Sequence, residues 1–206
     1  SYAHAVRRVG EMLGRDPAEL RMVLCHLGAG ASLAAVDGGR SVDTTMGFTP
    51  LEGLVMATRS GTVDPGLVLW LVTEAGLAPE AVLEGLEHQS GLLGLSGTAD
   101  MRDVVAEKGL AFDVYVHSVA RHAGGLVASL GGLDALVFTG GVGENAPEVR
   151  AAVTDRLAYL GVALDPERND KGGEGLVSPR DAKVPVLVVA AREDLEIARQ
   201  TRALLE

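Results

Sequence analysis

The chain has 206 residues, enough for one large domain or two small ones. Hydrophobic residues at 47% and charged residues at 22% argue against a disordered chain, and the longest apolar runs, 67–72 and 184–191, are far too short to span a bilayer. A formal net charge of −10 without any Lys/Arg block argues against a nucleic-acid or anionic-membrane partner, while the single Cys25 excludes an internal disulfide or multi-cysteine zinc site and fits a reducing, cytoplasmic setting.

Aromatic residues are only 3%, so the core must be built from Leu, Val and Ala. The spacing predicts a helix over 3–13, then Asp16, Pro17 and Glu19 as an N-cap, first-turn proline and capping acid. Residues 21–27 read as a buried strand; 31–36 and 40–44 follow as two more, joined by Asp37, Gly38 and Gly39 into a β-meander. Pro65 and Pro79 open helices reaching about 75 and 88. Residues 90–103 read as a glycine-rich loop and 111–130 as a helix, weakened by Gly124 and Gly125. A short buried strand over 134–139 leads into a glycine loop over 140–145, and Pro147 starts a helix to about 160. Residues 165–181 read as a polar connection with Lys171, Gly172 and Gly173 at its tip, before a strand over 184–190 and a terminal helix over 193–205. Strands alternating with helices indicate an α/β fold, and nothing resembles an interdomain linker. No signal or transit segment is legible, and an opening on Ser1 instead of Met suggests an excerpt, a processed product or unobserved leading residues.

Five segments could carry chemistry. In His26-Leu27-Gly28-Ala29-Gly30, glycines at i and i+2 between strands allow close backbone approach to an anion, although a plain hairpin turn has the same composition. Arg59, set among Thr58, Ser60 and Gly61, suits a guanidinium held against phosphate or carboxylate; a surface arginine is the alternative. Asp100-Met101-Arg102 could bind a polar ligand or form a helix N-cap with a surface ion pair. Gly140-Gly141-Val142-Gly143-Glu144-Asn145 is the strongest signal, because ligands in open α/β sheets sit beyond the carboxyl ends of strands and the glycines allow close approach. It lacks the Gly-Lys-Ser/Thr ending of a Walker A loop. Glu193 and Asp194, at the entry to the last helix, could bind Mg²⁺ or only stabilise the helix terminus. Among the five histidines, His117 and His122 are spaced poorly for a shared metal, and His26 stands out beside the glycine turn.

Taken together these segments resemble the acetate kinase family. That pattern reads approximately H-L-G-N-G-x-S, S-V-D-T-S-M-G-x-T-P-L-E-G-L, T-R-S/C-G-D-x-D-P, S-G-L-L-G-x-S-G, D-M-R, F-T-G-G-I-G-E-N and T-N-E-E-x-x-I-A. This chain offers 26–32, 41–54, 58–65, 90–97, 100–102, 138–145 and 193–199 in the same order. The resemblance implies a ribonuclease-H-like lobe of the sugar kinase, heat-shock 70 and actin superfamily, with a mixed sheet and flanking helices. Residues 1–206 would be a single C-terminal nucleotide-binding and dimerisation lobe, without the family's N-terminal lobe. The implied reaction is reversible phosphoryl transfer from ATP to acetate, giving ADP and acetyl phosphate. Propionate or butyrate transfer, or a non-catalytic nucleotide-binding and dimerisation module, are the alternatives.

By the same resemblance, His26, Leu27, Gly28, Ala29, Gly30, Asp100, Met101, Arg102, Gly141, Val142, Gly143, Glu144 and Asn145 bind the nucleotide. Arg59 stabilises the transferred phosphoryl group, and Glu193 associates with Mg²⁺, for which Mn²⁺ is a substitute. The implied assembly is a homodimer, and the implied location cytoplasmic. Four departures stand out: Ala29 for Asn, Arg192 for Asn, Asp194 for Glu and Thr62 for an acidic residue. The stretch from 102 to 112 is several residues shorter than the pattern. Ser1 and Tyr2 fall on the last two positions of an H-G-T-S-H-like segment, with Tyr2 replacing its second histidine.

Overall fold

The computed structural model describes residues 2–205. Its centre is a six-stranded sheet built from β1 (Arg21–Leu27), β2 (Ala31–Asp37), β3 (Arg40–Thr44), β4 (Ala135–Thr139), β5 (Gly175–Leu176) and β6 (Val186–Val188), in the order β3-β2-β1-β4-β6-β5. β1, β2 and β3 form the expected antiparallel meander. β4 joins β1 in parallel, β6 joins β4 in parallel, and the two-residue β5 closes the far edge antiparallel to β6. This arrangement, with helices on both faces, is the ribonuclease-H-like lobe implied by the sequence.

The strand residues explain the order. β4 is buried at every position, and β1 is buried from Met22 to Cys25 and at Leu27, as strands covered on both faces must be. β3 is exposed throughout and carries Arg40 and Asp43, which suit a sheet edge. On one face, Met22, Leu24, Ala135, Val137 and Leu187 pack under α1 (Tyr2–Leu13) through Ala5, Val6 and Val9. On the other, Val23, Cys25, Leu27, Leu136 and Phe138 meet a larger cluster that includes Tyr115, Val119 and Ala123.

The helices between β3 and β4 are α2 (Pro65–Thr73), α3 (Pro79–His88), α4 (Gly91–Ser96), α5 (Met101–Glu107) and the 21-residue α6 (Leu110–Leu130). Tyr115, Val119 and Ala123 come from α6, whose packing overrides Gly124 and Gly125. After β4 come α7 (Gly140–Asn145), α8 (Pro147–Arg156), α9 (Pro166–Lys171) and, after β6, α10 (Glu193–Leu205).

Several expectations need correction. Residues 90–103 are two helices, not a loop. The first-turn donors of α4 are satisfied from outside it: Leu92 N donates to Met56 O and Leu93 N to Ala57 O, both at 2.9 Å. Asp100 caps α5 by accepting from Arg102 N at 2.9 Å. The glycine loop over 140–145 is itself a helical turn, started by Gly140 at φ +80, where a Cβ would lie 2.7 Å from Leu27 O. The helix opened by Pro147 stops at Arg156, and a 3₁₀ turn covers Ala158–Leu160. The polar connection over 165–181 contains α9 and β5, and the last strand shortens to β6. Among the described residues no helix is long and apolar enough to cross a membrane.

Candidate functional site

The carboxyl ends of parallel β1 and β4 open into a cleft of about 1130 Å³. Its floor is Gly28 and Ala29 after β1, with Gly141, Val142 and Asn145 of α7 after β4. Asp100, Met101 and Arg102 of α5 form the opposite wall. Three segments far apart in sequence therefore meet at one sheet edge, where ligands of open α/β sheets bind. The structure brings together eight of the thirteen residues expected to bind nucleotide. Leu27 is buried within β1, Gly143 is buried in α7, and His26, Gly30 and Glu144 lie outside the cleft lining.

The glycine turn differs in detail from expectation. Gly28 N donates to Gly30 O at 3.0 Å, and Ala57 N donates to Ala29 O at 3.1 Å, so these groups hold the turn's own shape. A Cβ on Gly141 would meet nothing within 4 Å, whereas one on Gly143 would touch Phe138 and Cys25 at 3.5–3.6 Å. Gly141 is thus open to the cleft and Gly143 serves packing.

Asp100 and Arg102 do both things the sequence left open. They form the helix cap and an exposed ion pair, Arg102 Nη2 to Asp100 Oδ2 at 2.5 Å, while lining the cleft. The guanidinium beside it holds the Asp100 carboxyl down to about 2, so it is ionised at neutral pH.

Arg59 lies past the glycine turn. A Cβ on Gly30 would be 3.6 Å from Arg59 Nη1, which contacts Pro50 O at 3.5 Å and Met56 Sδ at 3.7 Å. Its backbone is pinned on two sides: Met56 N donates to Arg59 O, Ser60 N to Leu86 O and Ser90 N to Thr58 O. Gly61, at φ +71, fits only as glycine, since a Cβ would sit 2.5 Å from Leu54 O. The side chain has no carboxylate partner among the described residues. Thr62, standing where the family pattern is acidic, accepts from Gly53 N at 3.1 Å and closes this loop.

His26 is half-buried, and burial lowers its pKa, which keeps the imidazole neutral at pH 7. Tyr2 meets it edge-on at 6.3 Å between ring centroids and donates to Ser32 O at 2.7 Å. Burial raises the Tyr2 hydroxyl to about 12. Ser1 lies outside the described residues.

Glu193 opens α10 at the same end of the sheet and acts electrostatically on His26. Its neighbours pair with each other: Arg192 grips Asp194 with two bonds of 2.9 and 3.0 Å, and holds that carboxyl at about 2. Glu193 itself is exposed and forms no ion pair or side-chain hydrogen bond among the described residues. Among the described residues no group of three or more His, Cys, Asp or Glu could hold a metal ion. Mg²⁺ characteristically keeps several waters and takes one or two carboxylates together with substrate phosphates.

Sequence reasoning missed three contributors, Lys108, Arg150 and Asn169, and the link that the named Glu144 makes between two elements. Glu144 Oε1 accepts from Gly140 N at 3.0 Å and Ala191 N at 2.9 Å, tying α7 to the approach of α10. Lys108 lines the cleft at φ 50, the single positive-φ non-glycine among the described residues, where α5 joins α6 in the shortened stretch. Arg150 and Asn169 are buried behind α7. An arginine on the buried face of a helix with Val149 and Val153 was the available signal.

Comparison with known proteins agrees with this geometry. The profile of the Acetokinase family matches residues 1–199. The acetate kinase of Leifsonia xyli subsp. xyli is 52% identical over 209 residues, covering 97% of this chain and 53% of the relative. Porphyromonas gingivalis acetate kinase superposes with a TM-score of 0.93 at 37% identity, covering 100% of this chain and 54% of its own. A propionate kinase from Francisella tularensis subsp. tularensis gives 0.89 at 37% identity, covering 97% of this chain and 53% of its own. The chain spans about half the length of the curated relatives it matches. With the motifs in order, the lobe's topology and a family match over nearly the whole sequence, the chain belongs to the acetokinase family.

Proposed function

We propose that residues 1–206 form the C-terminal nucleotide-binding and dimerisation lobe of a cytoplasmic acetate kinase, which transfers phosphate reversibly from ATP to acetate. The observation that carries this reading is the cleft shared by the 28–29 turn, α5 and α7, with Arg59 beside Gly30 of the same turn and Glu193 within electrostatic reach of His26. Asp100, Met101 and Arg102, with Gly28, Ala29, Gly141, Val142 and Asn145, would hold the nucleotide; His26, Leu27, Gly30, Gly143 and Glu144 would support that floor from behind or beside it. In the forward step an acetate oxygen attacks the γ-phosphorus, the bond to the β–γ bridging oxygen breaks, and ADP leaves. Arg59 would face the three equatorial oxygens, where its planar fork matches developing charge. Glu193 would hold Mg²⁺ (or Mn²⁺), which supplies charge neutralisation on the phosphates when bound. Propionate or butyrate transfer is not favoured, because the curated relatives are acetate kinases.

Gly141→Val tests the nucleotide site. Nothing in the fold resists the added side chain, so the melting temperature should stay close to that of the parent. A branched group on the cleft floor should weaken ADP binding by about tenfold or more in titration calorimetry. Unchanged affinity would remove Gly141 from the site.

The dimerisation role draws support from the α2–α3 pair. Leu67, Leu69 and Trp70 of α2, Leu77 in the turn and Leu83 of α3 are all exposed. An apolar surface of this kind suits a two-fold, self-complementary contact. Light scattering at micromolar concentration should give twice the chain mass; a monomer alone would refute the assignment.

A further inference from the structure

Arg150 is fully buried, yet no carboxylate pairs with it among the described residues. All of its hydrogen bonds end on amide oxygens. Nε donates to Asn169 Oδ1 and Nη2 to Asn169 O, both at 2.8 Å, while Nη1 donates to Gly143 O and Glu144 O, both at 2.9 Å. Asn169 completes the network through Nδ2, which donates to Pro147 O at 2.9 Å. Burying a guanidinium is costly unless its donors are satisfied, and a leucine would fill similar space without that penalty. Arg150 meets that cost by donating to these oxygens, and so holds the groups that carry them.

What it holds is the end of α7. That helix has six residues, Gly140, Gly141 and Gly143 among them, so its own sequence does not favour helical geometry. Its start is fixed by the Glu144 carboxylate on Gly140 N, and its last carbonyls by Arg150. The exposed side of the same turn supplies Gly141, Val142 and Asn145 to the cleft. Asn169 comes from α9, in a stretch outside every motif described above.

We infer that Arg150 and Asn169 are positioning residues for nucleotide binding, holding α7 in the shape the cleft needs from the side away from the ligand. The inference rests on the nucleotide reading of the cleft. A purely structural pair would lower stability alone; a positioning pair sets affinity in protein that is still folded.

Mg·ADP is titrated into the full chain and into Asn169→Ala, Asn169→Asp and Arg150→Lys, with thermal melting and amide exchange of the ligand-free proteins in parallel. Leu130→Ala, at the opposite end of the sheet, serves as a stability control. The folded Asn169→Ala and Arg150→Lys variants should bind ADP about tenfold more weakly, with faster exchange at the α7 amides. Leu130→Ala should lower the melting temperature and leave ADP affinity within about twofold of the parent. Asn169→Asp keeps an acceptor for Arg150 but no donor for Pro147 O, and should fall between; it also answers the question if Asn169→Ala does not fold. Folded position-169 and position-150 variants that bind as the parent does overturn the inference alone. A parent chain that fails to bind ADP overturns the nucleotide reading and this inference with it.

Discussion

Arg59→Ala, in an acetate kinase of the relatives' length built on this half, should depress kcat by about 10³–10⁵-fold while leaving ATP affinity nearly unchanged. The expectation follows from where the structure spends its constraints. The Arg59 backbone is fixed by hydrogen bonds from Met56 N and, through its neighbours, to α3 and α4, so the guanidinium is presented from a rigid loop. Among the described residues no acid pairs with it, and it lies against a carbonyl, a thioether and the Gly30 turn. A cation held this way interacts most strongly with charge that appears during reaction. Arg59→Lys should restore little, because an ammonium on a flexible stem lacks the planar fork. A kcat close to the parent value in Arg59→Ala would end the assignment.

The 206-residue chain by itself should bind Mg·ADP or Mg·ATP weakly and form no measurable acetyl phosphate. The cleft floor, the α5 wall, Arg59 and Glu193 are all present, so nucleotide affinity has a physical basis. No described residue is assigned to acetate, and the chain spans about half the length of its curated relatives. In-line transfer requires both reactants at near-attack distance, and lost positioning removes about 7–11 kcal/mol of barrier lowering. Titration calorimetry should show binding, and a coupled kinase assay should show a blank. Robust turnover by a sample whose intact mass matches the 206-residue sequence would show that this half suffices.

Local signals were legible wherever local chemistry decides. Pro65 and Pro79 start their helices where they stand, because a first-turn proline loses no hydrogen bond. The apolar run over 21–27 is a central strand because only a strand buried on both faces lacks alternation. The meander follows from short turns, and the recurrence of motifs in one order was enough to indicate the family. By contrast, α4 and α7 have the composition of loops, since glycines lower helix propensity by up to about 1 kcal/mol each. The helical form of α4 comes from Met56 O and Ala57 O, brought close only on folding, while α7 is closed by its own Glu144 carboxylate and by Arg150, which Asn169 of α9 holds in turn.

The candidate site divides along the same line. Residue types and order in the sequence placed glycine turns after the strands ending at Leu27 and Thr139, where ligands of open α/β sheets bind, while the roles of Arg59 and Glu193 came from the family resemblance. Only the tertiary structure decided which glycine faces the cleft and which is packed behind it. It also decided that Gly28 N–H is consumed within its own turn, that Asp100 and Arg102 pair with each other while lining the wall, and that a buried arginine–asparagine pair stands behind α7. Sequence spacing records which side of a strand or helix a residue occupies. Which donors remain free depends on partners tens of residues away, and those partners become neighbours only once the sheet has assembled.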